Sequence, residues 1–504
     1  MTDRLQPRRS LTVQAFWLLV AKTLAFMFAF ALPVLLTRTL SQNEYGLFKQ
    51  VFLITTTAVA LLPLGFGMSA YYYLPRENDP TRRGQVILNI LLFNLLMGAV
   101  TCVVLIVWPG IIGGIFRDPG VSTFAPVLGV VILLWLFSSF LETVAVANQE
   151  LRLATIFIVA GQLTRTLLLL GAAIIFDSVH ALVYAALIHG VLQGATLLWY
   201  VSSRFPGFWR AFDWSLTGKQ IAYALPFGFA GLLYTFQTDL HNYFVSHRFS
   251  AATFAIYSIG VAQLPLVGIL RESVSSVILP RISYLQEQEQ PREIIVLLAN
   301  ATRKLAAVFI PVYVFLMLTG REFLTFMFTS AYAESWPIFA LNLTLLPLSL
   351  LDVDAVSRAY EMHRFFLVRL QIVISVLNVF GLWFCISRFG LIGAISVVVG
   401  VNVVGRVAMA IRFGRVLGFQ LRDVKLFKDV GKIAIASVVA GVLCFFVRSL
   451  IMAASPRPMM VLAGCFIVFA AVYVSVILVL GVANFDEREK VRRGVQRLHA
   501  FVYG

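Results

Sequence analysis

Apolar residues in this chain fall in long unbroken blocks, not in the alternation of a strand or the narrow stripe of a soluble helix. Blocks occupy 12–37, 45–73, 84–108, 122–147, 153–176, 180–202 and 219–246. They continue at 251–279, 294–319, 335–357, 365–386, 391–411, 431–452 and 459–482. Each is long enough for a helix of about 20 residues, the length that crosses a hydrocarbon layer roughly 30 Å thick. The pattern predicts an all-α polytopic membrane protein of about fourteen transmembrane helices.

Composition sharpens that reading. Of 504 residues, 60% are hydrophobic and 13% charged. Soluble domains carry roughly 25% charged residues, so a soluble multi-domain protein is excluded. The net charge of +16 does not point to nucleic acid, because the basic residues flank apolar blocks and form no domain of their own. Their placement has a side. Outside the span interiors, one set of loops carries Arg38, Arg117, Arg248, Arg321, Arg388, Arg448 and Arg457. All other flanking Arg and Lys fall with the termini, from Arg4, Arg8 and Arg9 to Arg492, Arg493 and Arg497. By the positive-inside rule both termini are expected in the cytoplasm of a bacterial inner membrane. The first block is too long for the apolar core of a signal peptide and reads as a retained span.

The short loops leave no room for a catalytic domain. The stretch 204–214 mixes aromatics with Arg, as suits a headgroup-layer linker, and 412–432 is basic and amphipathic. Cys102, Cys385, Cys444 and Cys465 sit inside apolar blocks without metal-ligand spacing and read as packing residues. No catalytic residue, metal site or cofactor motif is apparent.

A short internal repeat organises the chain. The turn between the first two spans reads Ser41-Gln42-Asn43-Glu44-Tyr45-Gly46-Leu47-Phe48, and that between the seventh and eighth reads Ser250-Ala251-Ala252-Thr253-Phe254-Ala255-Ile256-Tyr257. In both, a small residue (Gly46, Ala255) precedes an aromatic (Phe48, Tyr257) by two positions. The following spans end in Leu74-Pro75-Arg76 and Leu279-Pro280-Arg281. Six spans separate the copies, so they share one orientation, as lobes related by an axis along the membrane normal do. The last two spans lack the polar positions that earlier spans place on one face, such as Gln162 with Arg165 or His189 with Gln193. The expected organisation is a six-helix lobe (1–202), an interfacial linker (203–218), a second six-helix lobe (219–411), a basic linker (412–430), an accessory helix pair (431–482) and a basic tail (483–504).

Charges inside spans are costly and mark function or pairing. Lys22 and Arg271 fall near mid-membrane, Lys49 and Asp239 lie nearer the outer ends of their spans, and Arg165 and His189 are deep. Glu142, Asp352, Asp354 and Arg406 fall toward the terminal side. Structural hydrogen bonding is the favoured reading of Arg165, His189 and Arg406.

The basic N-terminal tail, first span and Arg38–Phe48 turn, with the second copy at 237–257, resemble the polysaccharide biosynthesis flippases. These translocate O-antigen and exopolysaccharide repeat units within the multidrug/oligosaccharidyl-lipid/polysaccharide exporter superfamily. The resemblance implies a central cavity lined by spans 1, 2, 7 and 8, alternating access, and an undecaprenyl-pyrophosphate-linked oligosaccharide as cargo. It also implies membrane lipids, a polysaccharide polymerase and other assembly proteins as partners, and no nucleic acid. Fourteen spans, where many repeat-unit flippases have twelve, are shared with lipid II flippases of the same superfamily. A pyrophosphate needs cationic partners in the membrane, so Lys22, Lys49 and Arg271 are expected to contact substrate, with Asp239 beside them. Asp352 and Asp354 are candidates for ion coupling. The competing readings are a lipid II flippase, a cation-coupled multidrug exporter, which favours an acidic cavity, and a membrane polymerase or ligase, which needs a large external loop.

Overall fold

The computed structural model describes residues 11–210, 212–351, 353–360, 364–454 and 457–482. Among these the chain is helical almost throughout, with no strand. The helices are α1 (Leu11–Thr39), α2 (Gln42–Leu61), α3 (Ser69–Tyr73), α4 (Pro80–Val107), α5 (Gly110–Phe116), α6 (Ala125–Ser138) and α7 (Phe140–Ala147). There follow α8 (Leu151–Phe176), α9 (Val179–Arg204), α10 (Trp214–Arg248), α11 (Ala251–Gly260), α12 (Pro265–Glu287) and α13 (Pro291–Phe328). The remainder are α14 (Trp336–Leu343), α15 (Leu345–Leu348), α16 (Asp354–Ala359), α17 (Arg364–Val416), α18 (Lys428–Ala454) and α19 (Pro458–Val479).

All fourteen apolar blocks fall on helical segments. Among the described residues, ten helical stretches are long and apolar enough to cross a membrane, or eleven when α2 and the bent Phe66–Arg76 segment count as one. The 53 residues of α17 are broken at Gly390; unbroken they would extend roughly 80 Å, far beyond one bilayer core. Helices α10 and α12 miss the apolar threshold because they carry residues such as Gln237, Asp239, Arg271 and Glu272. Large apolar side chains cover the outside: Ile175, Phe176, Trp199, Phe380, Trp383 and Phe466 are all well exposed. In water such a surface would aggregate, whereas in lipid it is solvated.

Local chemistry sets the ends of these helices. Ser41 caps α2 through a capping box: its backbone N–H donates to Glu44 Oε2 at 3.1 Å, and its hydroxyl accepts from the Glu44 N–H. At the second copy of the repeat, the Thr253 N–H donates to Ser250 Oγ at 3.3 Å, and the two hydroxyls bond at 3.0 Å. The same serine cap thus opens α2 and α11. Asp79 and Asp213 cap α4 and α10 in the usual manner.

Contacts divide the chain into two compact units. One comprises Met1–Ser258 and Ser375–Ala394, the other Ile259–Ile374 and Ile395–Gly504. Helix α10 groups with the first nine helices because it is tied to them along its length. Near its start, Asn89 donates to Gln220 Oε1 at 2.9 Å, and Gln220 donates to Ser69 Oγ at 3.1 Å. Next, Gly228 lies against the break after α2: a Cβ there would sit 2.1 Å from the Leu64 carbonyl oxygen. Gly65 holds φ at +70° in that break, and Pro226 lies within α10 just before the contact. At its far end, the Tyr243 ring stacks on Phe116 and His247 Nδ1 meets the Ile115 carbonyl at 2.7 Å. The Ser375–Ala394 piece joins through α10, since Gln237 donates to Ser375 Oγ and Asn378 donates to the Gln237 carbonyl.

The second unit has its own cores. One gathers Ile282, Ile294, Val356 and Phe413, and another sets Cys444, Val461, Cys465 and Phe469 of α18–α19 against Val314 and Phe315 of α13. Tyr473 donates to the Ala307 carbonyl at 2.8 Å, and a largely buried ion pair joins Arg448 to Glu322. The cysteines serve as packing residues and are free thiols.

The small residue of the repeat is a steric requirement. A Cβ on Gly46 would lie 1.8 Å from the Ala251 carbonyl oxygen, a backbone atom that no rotamer change moves. Gly46→Ala is expected to lower stability by about 1–3 kcal/mol, read as a fall in the thermal-unfolding midpoint of the purified protein. Gly171→Ala, in open space on α8, should leave the midpoint unchanged or raise it slightly.

Candidate functional site

Within the first unit, polar side chains from α2, α6, α8, α9 and α10 meet in an otherwise apolar interior. Lys49 of α2 lies roughly 12 Å along its helix from Ser41. Its electrostatic neighbours are Arg165 of α8 and Asp239 of α10. Asp239 Oδ2 accepts from Thr57 Oγ1 at 3.2 Å. One turn beyond Asp239, Tyr243 faces Thr57 and approaches the Leu53 carbonyl at 3.5 Å. Lys49, Leu53 and Thr57 follow one another at helical spacing, so a single face of α2 presents amine, carbonyl and hydroxyl.

The other side of the cluster is built on Trp135. Its indole N–H donates to the Ala186 carbonyl at 3.0 Å, which fixes the ring. His189 meets that ring edge-on at 5.8 Å, and Phe52 of α2 packs at 5.9 Å. The Arg165 guanidinium carbon lies 4.6 Å from the ring centre, within cation–π range. Three basic side chains, Lys49, Arg165 and His189, and one acid therefore share this region, and the acid is bonded to a threonine.

The other expected site residues lie elsewhere. Lys22 Nζ is 3.9 Å from Glu142 Oε1, with both side chains about half exposed (53% and 46%). So open and long a pair leaves the amine available to other anions. Tyr71 adjoins it through a hydrogen bond to Thr143. Arg271 belongs to the second unit, where it borders a small pocket with Ser275, Thr302 and apolar residues including Ile278 and Leu305. Asp354 opens α16 and pairs with Arg358 one turn later at 3.2 Å. Asp352 lies outside the described residues. Arg406 reaches the Leu348 carbonyl at 3.5 Å.

Sequence reasoning singled out Lys49 and Asp239 but gave neither its surroundings. The spacing of Lys49 to Thr57 and of Asp239 to Tyr243 was the available signal. Nothing in the sequence marked Trp135 as the platform under Arg165, or Glu142 as the neighbour of Lys22.

The polysaccharide biosynthesis protein family matches residues 35–337 of the chain. No curated protein matches it. Among solved structures, the chain is similar to the lipid II flippase MurJ in an inward closed conformation, with a TM-score of 0.73 and 12% identity, covering 93% of this chain and 98% of that one. It is also similar to an inward-facing multidrug resistance MATE family transporter of the MOP superfamily, with a TM-score of 0.60 and 14% identity over 78% of this chain and 94% of that one. A third likeness is to a MOP superfamily transporter from Pyrococcus furiosus whose binding pocket is described as reversed in polarity, with a TM-score of 0.55 and 14% identity over 81% and 95%. At these identities the structures speak for the fold, which is that of multi-pass membrane transporters. The family match, which spans more than half of the chain, shows that this is a polysaccharide biosynthesis protein.

Proposed function

We propose that the protein is a flippase that moves undecaprenyl-pyrophosphate-linked oligosaccharides from the cytoplasmic to the outer leaflet of a bacterial inner membrane. The repeat units would serve O-antigen, capsule or exopolysaccharide assembly, with a polymerase receiving them. The observation that carries this reading is the basic cluster at Lys49. A span interior tolerates a charge only with a partner or a task, and this cluster holds more positive than negative charge. A cation exporter needs the opposite sign. A pyrophosphate supplies the missing negative charge, with strong acceptor oxygens suited to ammonium and guanidinium donors. Lys22, with its loose hold on Glu142, offers a further anion contact, and within the second unit Arg271 is a separate candidate for contacting substrate. Asp239, held by Thr57, limits the excess charge when no substrate is bound. The nature of the cargo separates this reading from that of a lipid II flippase on the same fold.

The reading includes fourteen spans with both termini cytoplasmic, as the distribution of Arg and Lys supports. With the four native cysteines replaced, a single cysteine in 321–334 should react with an impermeant thiol reagent added outside, and one in 285–292 should not. The reverse pattern would overturn the topology.

Substitution tests the charge. Lys49→Gln is expected to reduce glycan export about 10- to 100-fold, the cost of one charged hydrogen bond, with the protein still accumulating in the membrane. Lys49→Arg should keep much of the activity, and Arg271→Glu should abolish it. Normal export by Lys49→Gln and Arg271→Ala together would overturn the reading.

A further inference from the structure

We propose that Arg165 binds the anionic headgroup directly, as a phosphate ligand presented on Trp135. The inference rests on the flippase reading above and adds to it a residue on α8, outside the spans expected to line the cavity.

Arg165 stands in the middle of α8, roughly 17 Å along the helix from Phe176. That depth is too great for the side chain to reach an interface along its own helix. Among the described residues it forms no ion pair and no hydrogen bond; its Nε is buried without a partner. Its surroundings are the face of Trp135 and, at longer range, a like charge on Lys49 and the imidazole of His189. None of these is hydrogen-bonded to the guanidinium, and the buried Nδ1 of His189 is itself without a partner. An arginine kept for structure makes those bonds, as Arg83 does to Asn148 Oδ1 at 2.6 Å and Arg204 to Glu150 at 2.9 Å. Arg165 makes none, and it stands in the middle of its helix.

The geometry around it suits an oxyanion. A guanidinium held over an indole by cation–π attraction spends none of its N–H donors on that contact. The indole cannot drift, because its N–H is bonded to Ala186 and its edge is packed by His189. The amine of Lys49 adds a second, movable positive charge. A planar fork beside a point charge matches a phosphate or pyrophosphate, whose oxygens take paired donors from arginine and single ones from lysine. Without such a ligand the two cations repel each other, with Asp239 alone to offset them. The arrangement therefore favours a bound anion over the empty site.

The test uses the purified full chain and three probes: undecaprenyl pyrophosphate, inorganic pyrophosphate and undecaprenol. Affinity and the ligand-free unfolding midpoint are measured for wild type, Arg165→Gln, Arg165→Met and Arg165→Lys. Arg165→Gln and Arg165→Met are expected to weaken undecaprenyl pyrophosphate binding by about tenfold or more, and Arg165→Lys by less. The ligand-free midpoints of the Gln and Met variants should equal or exceed that of wild type, because an uncompensated charge is gone, and undecaprenol should bind all four alike. Unchanged affinity in Arg165→Gln, with wild type binding well, overturns this inference and leaves the flippase reading in place. A lowered ligand-free midpoint or failure to fold in both the Gln and Met variants also overturns it, since Arg165 would then be a brace for Trp135. If wild type binds inorganic pyrophosphate through Arg165 but not the lipid-linked form, the anion site stands and the flippase reading falls. If wild type binds neither anion, both fall.

Discussion

A polar group inside a bilayer has no water to fall back on, so each one must be satisfied by the protein or by what the protein carries. Most of the buried polar side chains here obey the first clause. Gln220 is held between Asn89 and Ser69, Asn148 between Arg83 and Tyr200, and Glu322 by Arg448. These bonds tie helices together where the hydrophobic effect, absent between lipid-solvated surfaces, cannot. The cluster of Lys49, Arg165 and Asp239 departs from that rule, and the functional account rests on the departure.

The same constraint explains why α10 belongs with the first nine helices. Its polar residues have to find partners, and they find them in α2, α4 and the α5 region. Small residues let the backbones close in: Gly228 against Leu64, and Gly46 against Ala251. Replacing such a glycine pushes apart helices whose polar side chains depend on that closeness, so packing and polar satisfaction are coupled.

Much of the fold was legible because the membrane writes it into the sequence as apolar length. The repeat beginning at Ser41 and Ser250 was legible too, although that each serine caps its helix by accepting from the N–H three residues on emerged only from the structure. What could not be read is which helices meet. Glu142 lies more than a hundred positions from Lys22, and the partners of Thr57 and Trp135 come from helices remote in sequence. The break of α17 at Gly390 falls where the sequence separated the blocks 365–386 and 391–411, whereas the break after α2 was hidden inside the single block 45–73, and only the backbone angle of Gly65 marks it. Arg165 shows the limit most plainly. Its spacing to Gln162 on one helix face suggested structural bonding, whereas it lies over an aromatic face and makes no hydrogen bond among the described residues.

The central claim is that the excess positive charge inside the first unit recognises a pyrophosphate. The most direct measurement is translocation in proteoliposomes of two cargoes that differ only there: an oligosaccharide joined to undecaprenol through pyrophosphate, and the same oligosaccharide joined without phosphate. The account predicts that the purified protein moves the first and not the second, and that Lys49→Gln slows the first about tenfold or more. Equal movement of both cargoes, or movement of the first at an undiminished rate by Lys49→Gln, would contradict it.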